Sequence, residues 1–450
     1  MAYSKRTLGL LKKAGVNEGD WVKVTTPAAG YEGIILPRID AGNPDALVIK
    51  LESGYNAGVE IGPDVNVERI DGNDGQRPER KPASEAAKHL AANLPQISMV
   101  STGGTISAKV DYKLGGVRAA LTPEEIYATT PELAEVAGIK SFASPFRTFS
   151  ENMTPPEWGK IAVLVAKELN SGAKGVIVTH GTDTLHYTAA ALGFMLPNLP
   201  KPVALVGAQR SPDRGSFDGA QNLLCGAYYA GHSNFAEVAI VMHANSSDDF
   251  CNATRGVKAR KMHSTRRDAF RPVNDLPIAR IWPDGRMEEM KSLGKRDDSA
   301  KAVADIRFEG KTALVKAYPG SDPGILDYLV GKKCRGIIVE ATALGHVPAD
   351  TIEKKYSWVP AIKNAIEEGA VVGFATQCLY GTASPYVYET ARMLHGMGAL
   401  YCADMLPEVA YVKLGCMLGR SKDSEKVKKM MLTNSCGEIN ERHSQEEFLY

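Results

Sequence analysis

The sequence has no excess of charge of either sign and no long apolar run. Its 450 residues hold 53 Lys and Arg against 52 Asp and Glu, so no global field draws the chain to nucleic acid or to an anionic membrane. No stretch approaches the roughly 18 apolar residues of a membrane span, and the N-terminus lacks the apolar core and cleavage site of an export signal. We therefore expect a cytoplasmic protein with no membrane contact.

Cysteine pairing and several common catalytic motifs are also missing. Seven cysteines form no C-x-x-C pair, and the odd number favours a reducing compartment and buried thiols over disulfides or a zinc site. There is no G-x-S-x-G, no G-x-G-x-x-G after a strand and no H-E-x-x-H. The run Gly310-Lys311-Thr312 imitates the end of a phosphate loop, but Asp305 stands where that motif needs glycine, so ATP binding by this chain is not expected.

The composition is that of a globular protein with more than one domain. Hydrophobic residues make up 44% and charged residues 23%, and the length suits two to four domains. Short β-rich runs between Asp20 and Ile70, separated by turn residues, predict a small five-strand-like barrel within residues 1–75. Positions 1–93 carry 12 basic and 13 acidic residues, which favours docking or spacing over an RNA grip for this part.

Beyond a polar linker at residues 76–95, apolar strand-like runs alternate with helical patterns. This alternation is typical of an α/β fold with a parallel sheet. It predicts a larger α/β domain at residues 96–290, a charged linker at 291–310 and a smaller α/β domain at 311–420. A polar C-terminal tail completes the chain at residues 421–450.

Two turns follow predicted strands of the larger domain, where open α/β sheets bind ligands. The first, Thr102-Gly103-Gly104-Thr105 (the TGGT turn), can offer backbone N–H groups to an oxyanion or be a plain tight turn. The second, residues 180–184 (the HGTDT turn), places Thr182 and Asp183 before a helical pattern, where helix capping explains both. A second strand end with threonine and a carboxylate nevertheless favours activation of a hydroxyl or water.

Residues 254–272 form the one strong basic cluster of the sequence, with seven Lys and Arg against Asp268. Three interpretations are open: a solvated surface loop, a local phosphate-contact patch, or a field that makes one lysine a usable base. The third requires one lysine buried beside threonine and aspartate.

Taken in order, the TGGT turn, Phe149 to Met153, the HGTDT turn and the segment around Lys261 resemble the bacterial-type L-asparaginase family. Residues 31–35, 47–61, 336–348 and 376–414 resemble one branch of it, the D subunits of archaeal glutamyl-tRNA(Gln) amidotransferases. The resemblance covers nearly the whole chain and implies an asparaginase-like two-domain α/β core preceded by the small barrel.

The resemblance also implies the site residues. Thr105 would be the nucleophile, with Tyr112 orienting or activating it, and Thr182, Asp183 and Lys261 would form a second centre. Ser150 and Glu151 match the positions that hold the α-carboxylate and α-amino group of the substrate.

The function implied is hydrolysis of L-glutamine or L-asparagine, with the ammonia passed to a partner E subunit. The partner would use ATP and Mg²⁺ to amidate Glu-tRNA(Gln), so no cofactor is expected in this chain. The resemblance further implies a homodimer within a heterotetramer. The alternatives are a free-standing L-asparaginase or glutaminase, against which the barrel argues, and a non-catalytic docking module for tRNA or a partner, against which the intact threonines and Lys261 argue.

Overall fold

The computed structural model describes residues 3–36, 43–51, 56–70, 93–111, 116–119, 121–128, 130, 132–212, 216–291 and 293–450. Tyr112 and most of the linker predicted at 76–95 lie outside the described residues. None of the described helices is long and apolar enough to cross a membrane.

The N-terminal part is a helix followed by a small antiparallel sheet. The helix Lys5–Ala14 begins where the Ser4 hydroxyl accepts the N–H of Thr7 (3.2 Å) and ends at Gly15, which is left-handed with φ 65°. Along the first strand, inward-facing and outward-facing side chains alternate, and Val22 and Val24 are buried in the core of this small domain. The five described strands are Trp21–Thr25, Gly30–Ile35, Ala46–Leu51, Asn56–Glu60 and Asn66–Arg69. The expected small β domain is thereby confirmed as a five-stranded antiparallel sheet.

The larger α/β domain is built on a sheet that has eight strands within the described residues. Its parallel part consists, in spatial order, of Gly138–Ala143, Gln96–Ser101, Val176–Thr179, Val203–Val206 and Val238–His243. An antiparallel extension follows with Cys251–Arg255, Ala279–Ile281 and Met287–Glu289. The expected parallel sheet is thereby confirmed for five strands, and the sheet is mixed because the last three strands add to it as antiparallel neighbours.

Helices cover both faces of this sheet because its strands are apolar on both sides. Val176 and Val178 face one core, whereas Ile177 faces the other. The first face packs against Pro155–Asn170, which starts with a Thr154–Glu157 capping box, and Leu185–Met195. The second face packs against Pro123–Ala128, Leu133–Val136 and Gly219–His232. A short hairpin, Ala108–Asp111 with Gly116–Ala119, follows the TGGT turn.

The smaller α/β domain contains a four-stranded parallel sheet. Its strands are Thr312–Lys316, Gly336–Ala341, Val371–Thr376 and Leu400–Tyr401. Its helices are Gly324–Gly331, Val359–Glu367, Glu389–Gly396, Pro407–Arg420 and Ser424–Leu432. The helix Pro407–Arg420 packs against Leu185–Met195, so one apolar core runs through both α/β domains.

Two details differ from the sequence interpretation. The helix Ser424–Leu432 buries Val427 and Met431, so the polar tail contains a packed element. The cysteines are free, and Cys225, Cys251, Cys402 and Cys416 are buried as expected, but Cys378 is exposed. Burial as a general property of the thiols was therefore wrong, because Cys378 lies in a loop that follows a strand end. The domain limits themselves remain predictions.

Candidate active site

The TGGT and HGTDT turns lie at the carboxyl ends of two adjacent parallel strands, Gln96–Ser101 and Val176–Thr179. The N–H and the hydroxyl of Thr102 both donate to the carbonyl of Thr179, each at 3.0 Å. Gly104 has φ 80°, and a Cβ there would overlap the N and Cα of Gly181. Only a glycine allows this backbone contact. Thr105 and Thr182 directly follow the two glycines that meet here.

The segment that carries Ser150 contacts the TGGT turn at Gly103. Thr148 donates its N–H to Thr102 O (3.0 Å) and accepts the N–H of Gly104 (3.1 Å), which forms a short parallel bridge with the TGGT turn. Gly103 has φ 107°, and a side chain there would collide with the Thr148 backbone. Both glycines of the turn are thus needed for close approach, and the interpretation as a plain tight turn does not account for them.

Ser150 joins this segment to the HGTDT turn. Its buried Oγ accepts the N–H groups of Asp183 (3.1 Å) and Thr184 (3.3 Å), and Thr184 Oγ1 donates to Ser150 O at 2.6 Å. The following helix starts at Leu185 with Thr184 as its N-cap residue. Helix capping by Thr182 is therefore wrong, since a distant serine satisfies these N–H groups. As an acceptor of two N–H groups, the Ser150 hydroxyl can still donate its own proton to a ligand.

Lys261 reaches the HGTDT turn from a hairpin formed by Ala259–Lys261 and Phe270–Pro272, which we call the lysine hairpin. Its Nζ donates to Thr182 Oγ1 at 2.9 Å and to Asp183 Oδ1 at 2.7 Å. The Lys261 side chain is 10% exposed, whereas that of Asp183 is 62% exposed. A threonine hydroxyl, an amine and a carboxylate in mutual contact have the chemistry needed to activate a hydroxyl or a water molecule.

The remaining members of the basic cluster are each paired with acidic residues. These pairs are Arg255 with Glu237 and Asp275, Lys258 with Asp404, Arg260 with Glu408, Arg266 and Arg271 with Asp268, and Arg267 with Asp248. Charges compensated in this way do not form a free phosphate-contact patch, and Lys261 meets the requirement of a lysine buried beside Thr182 and Asp183.

Two histidines next to these residues were not identified from the sequence. His180 is buried, with Nδ1 2.6 Å from Gly181 O and Nε2 2.8 Å from Thr188 Oγ1, and burial lowers its pKa to about 4. Burial, followed by the charges of Arg260 and Lys261, lowers the pKa of His186 to about 3. Both rings are neutral at pH 7, so neither adds charge next to Lys261. The position of His180 at the start of the HGTDT turn was the available signal.

Thr105, Glu151 and Tyr112 are the remaining residues that the resemblance predicts for the site. Thr105 is half-buried at the first position of the 3₁₀ turn Thr105–Ser107. Glu151 is exposed beside Ser150 in the 3₁₀ turn Ser150–Asn152. Tyr112 lies outside the described residues, so its predicted role is untested.

Fold and site together define an asparaginase-type α/β protein. Residues 96–292 match the family "Asparaginase, N-terminal", residues 311–431 the "Glutaminase/Asparaginase C-terminal domain", and residues 16–70 the "GatD N-terminal domain". Similar solved structures include the L-asparaginase of Thermococcus kodakarensis, at TM-score 0.68 and 25% identity, where 77% of this chain covers 100% of that chain. L-asparaginase I of Vibrio cholerae gives TM-score 0.67 and 27% identity, covering 77% of this chain and 99% of that chain.

Curated relatives extend over the N-terminal part as well. The D subunit of the glutamyl-tRNA(Gln) amidotransferase of Pyrococcus abyssi is 48% identical over 433 residues, which are 95% of this chain and 96% of that protein. The D subunit of the same enzyme in Methanothermobacter thermautotrophicus is 43% identical over 444 residues and 99% of both chains. The chain therefore belongs to the family of glutamyl-tRNA(Gln) amidotransferase D subunits, which confirms the resemblance seen in the sequence.

Proposed function

We propose that this chain hydrolyses the side-chain amide of L-glutamine and supplies the ammonia to a tRNA-dependent amidotransferase reaction. The observation that carries the proposal is the contact of Lys261 Nζ with Thr182 Oγ1 and Asp183 Oδ1. This contact lies where the HGTDT turn meets the TGGT turn. Hydroxyls, an amine and backbone N–H groups are therefore close together at the carboxyl edge of the sheet.

The chemistry starts with Thr105 as nucleophile. Its Oγ attacks the amide carbon, and the hydroxyl proton passes to the leaving nitrogen, so ammonia departs and an acyl-threonine ester remains. Backbone N–H groups of the glycine-rich turn stabilise the oxyanion of the tetrahedral intermediate. Water then cleaves the ester, activated by the second centre of Thr182, Asp183 and Lys261, to release glutamate and restore the hydroxyl. Tyr112 orients Thr105.

Substrate orientation comes from the adjoining segment. The Ser150 hydroxyl, which already accepts two backbone N–H groups, donates its proton to the α-carboxylate. The exposed carboxylate of Glu151 attracts the α-ammonium group of the amino acid. Both residues lie outside the lysine hairpin, so binding and chemistry are carried by different elements.

The match of residues 16–70 to the "GatD N-terminal domain" supports an amidotransferase subunit over a free-standing L-asparaginase. The solved asparaginases are covered almost completely by 77% of this chain, which leaves the N-terminal domain as additional structure. A partner E subunit is proposed to bind ATP, Mg²⁺ and Glu-tRNA(Gln), with this chain contributing no cofactor. The assembly is proposed to be a heterotetramer containing a homodimer of this chain, which light scattering of the purified proteins tests.

The test measures ammonia release from L-glutamine and L-asparagine by the chain alone, and then with the partner subunit, ATP, Mg²⁺ and Glu-tRNA(Gln). Release that rises on assembly supports the proposal, whereas brisk asparagine hydrolysis by the chain alone, unchanged on assembly, supports the free-standing enzyme. No release under any condition supports a docking module.

Two substitutions test the assigned roles. Thr105→Val keeps the shape of the side chain and removes the hydroxyl, and Lys261→Met keeps the length and removes the amine. Each is expected to lower kcat at least 100-fold, the scale of a lost nucleophile or general base. Wild-type turnover in either folded variant would remove that residue from the mechanism.

A further inference from the structure

The lysine hairpin is anchored to the smaller α/β domain by a buried ion pair. Lys258 Nζ lies 2.5 Å from Asp404 Oδ2, and both side chains are 1% exposed. Lys258 directly precedes the arm Ala259–Lys261 and lies three residues before Lys261. Asp404 belongs to the other α/β domain, 146 residues along the chain, so the pair joins the two domains.

The second arm of the hairpin ends at the same place. Asn274, two residues beyond this arm, has φ 54°. Its Nδ2 donates to the carbonyl of Asp404 at 3.1 Å and to that of Gly381 at 3.0 Å, and its Oδ1 accepts the N–H of Gly381 at 2.8 Å. Both arms are therefore held by the segment around Asp404.

The C-terminal tail completes the contacts of Asp404. Oδ1 accepts the N–H of Asn440 at 3.0 Å, and Oδ2 lies 3.0 Å from His443 Nε2. Asn440 also donates from Nδ2 to the carbonyl of Asn274 at 2.5 Å. One buried carboxylate thus links the hairpin, the smaller domain and the tail.

These contacts bear on Lys261 because the hairpin has little rigidity of its own. Each of its strands has only three residues, and an isolated hairpin of this size is marginally stable. Removing one partner of a buried pair leaves an uncompensated charge, which is relieved by movement toward water. Movement of Lys258 displaces the arm that carries Lys261.

We propose that Asp404 is a positioning residue that, through Lys258 and Asn274, sets where Lys261 meets Thr182. Its kinetic consequence rests on the proposed amide hydrolysis. A displacement of about 1 Å at a catalytic group can lower the rate 100-fold. Substrate binding by Ser150 and Glu151 uses another element and is expected to persist.

The test compares Asp404→Asn with a matched control. Asparagine keeps the volume, but its amide cannot compensate the charge of Lys258. The control is Glu438→Gln, because Glu438 also compensates a fully buried lysine, Lys413, and acts on Lys258 only through the longer-range field of its charge, with no hydrogen bond to it. In the assembled enzyme, Asp404→Asn is expected to lower kcat 10- to 100-fold with KM within about twofold, and Glu438→Gln to leave both within about twofold. Equal effects of the two substitutions, or full kcat in Asp404→Asn, overturn the proposal.

Lys258→Met provides a second variant if Asp404→Asn does not fold, since it removes the buried cation and keeps the length of the side chain. Its kcat is expected to fall in the same range with KM retained. The double variant Lys258→Met/Asp404→Asn is expected to lose no more kcat than the more impaired single variant, because the two residues act as one unit. Losses that multiply would show independent roles and overturn the pairing.

A readout without turnover separates this proposal from the proposed function. Labelling with an amine-reactive reagent, mapped by mass spectrometry, measures how accessible Lys261 is. Its labelling rate is expected to rise severalfold in Asp404→Asn and to stay at the wild-type value in Glu438→Gln. If the wild type hydrolyses no amide, the proposed function fails, and an unchanged labelling rate in Asp404→Asn is the result that overturns the positioning role.

Discussion

Replacing Gly104 with alanine should separate the two turns of the candidate site. The added Cβ would lie 3.0 Å from the carbonyl carbon of His180 and closer still to the N and Cα of Gly181, whereas carbon atoms in contact prefer about 3.5–4.0 Å. The atoms it meets are backbone and cannot rotate away. The TGGT and HGTDT turns must therefore move apart by about 1 Å.

We expect the folded variant to lose most of its activity although it loses only a small part of its stability. Gly104 has φ 80° and ψ −175°, a region used almost only by glycine, and holding alanine there costs about 1–3 kcal/mol. A separation of about 1 Å between Thr105 and Thr182 is expected to lower kcat about 100-fold. Ammonia release from glutamine by the assembled enzyme measures kcat, and urea unfolding measures the free energy of unfolding.

Gly172→Ala is the matched control for this prediction. Gly172 also has a positive φ, 102°, but a Cβ there would meet no atom within 4 Å. It follows the helix Pro155–Asn170, away from the carboxyl ends of the strands. A similar loss of stability with unchanged kcat is expected, so wild-type kcat in Gly104→Ala, or an equal loss in Gly172→Ala, would refute the argument from backbone contact.

Two further predictions concern pH and stability. Hydrogen bonding from Arg307, with the nearby charge of Arg420, lowers the pKa of Asp305 to about 2. Because Arg307 is exposed and solvent screens the pair, Asp305→Asn is expected to lower the free energy of unfolding by about 1 kcal/mol at pH 7. This difference should shrink as the pH falls from about 4 toward 2, and a constant difference in urea unfolding would contradict it. In the folded chain, His180 and His186 stay neutral until the pH has fallen to about 4 and 3. In the unfolded chain they protonate near pH 6.5. The free energy of unfolding should therefore decrease as the pH is lowered from about 6.5 to about 4. His186→Gln should reduce that slope by up to about 1.4 kcal/mol per pH unit, and an unchanged slope would refute the assignment.

The parts of the fold set by local patterns were predictable from the sequence. Apolar runs such as Val176–Thr179 and Val238–His243 are strands, and the helix Leu185–Met195 follows the HGTDT turn as the pattern predicts. The antiparallel extension of the large sheet was missed because a strand such as Ala279–Ile281 has three residues and gives no periodic signal of its own.

The grouping of Thr182, Asp183 and Lys261 was expected from the family resemblance, whereas the local sequence pattern alone predicted only the types of residue in the candidate site. Threonine and aspartate at a strand end fit helix capping and catalysis equally well, and the Ser150 hydroxyl, 33 or 34 residues earlier in the chain, excludes capping by Thr182. Ser150 occupies the acceptor position at the start of the helix, which leaves the Thr182 hydroxyl to Lys261. No local pattern contains that information, because the segments meet through the bridge between Gly103 and Thr148.

The basic cluster shows the same dependence on distant partners and explains how one lysine differs from its neighbours. Lys258 and Lys261 lie three residues apart, and both are largely buried, but Lys258 faces the buried carboxylate of Asp404 at 2.5 Å, whereas Lys261 meets a neutral hydroxyl and a carboxylate that is 62% exposed. A buried carboxylate with several hydrogen-bond partners holds its lysine in place. The partner of Lys261 is instead open to water. The acidic partners therefore determine where each basic side chain of the cluster lies. Because most of these acids are distant in the sequence, the basic residues alone could not show whether the cluster is a surface loop or a phosphate-contact patch.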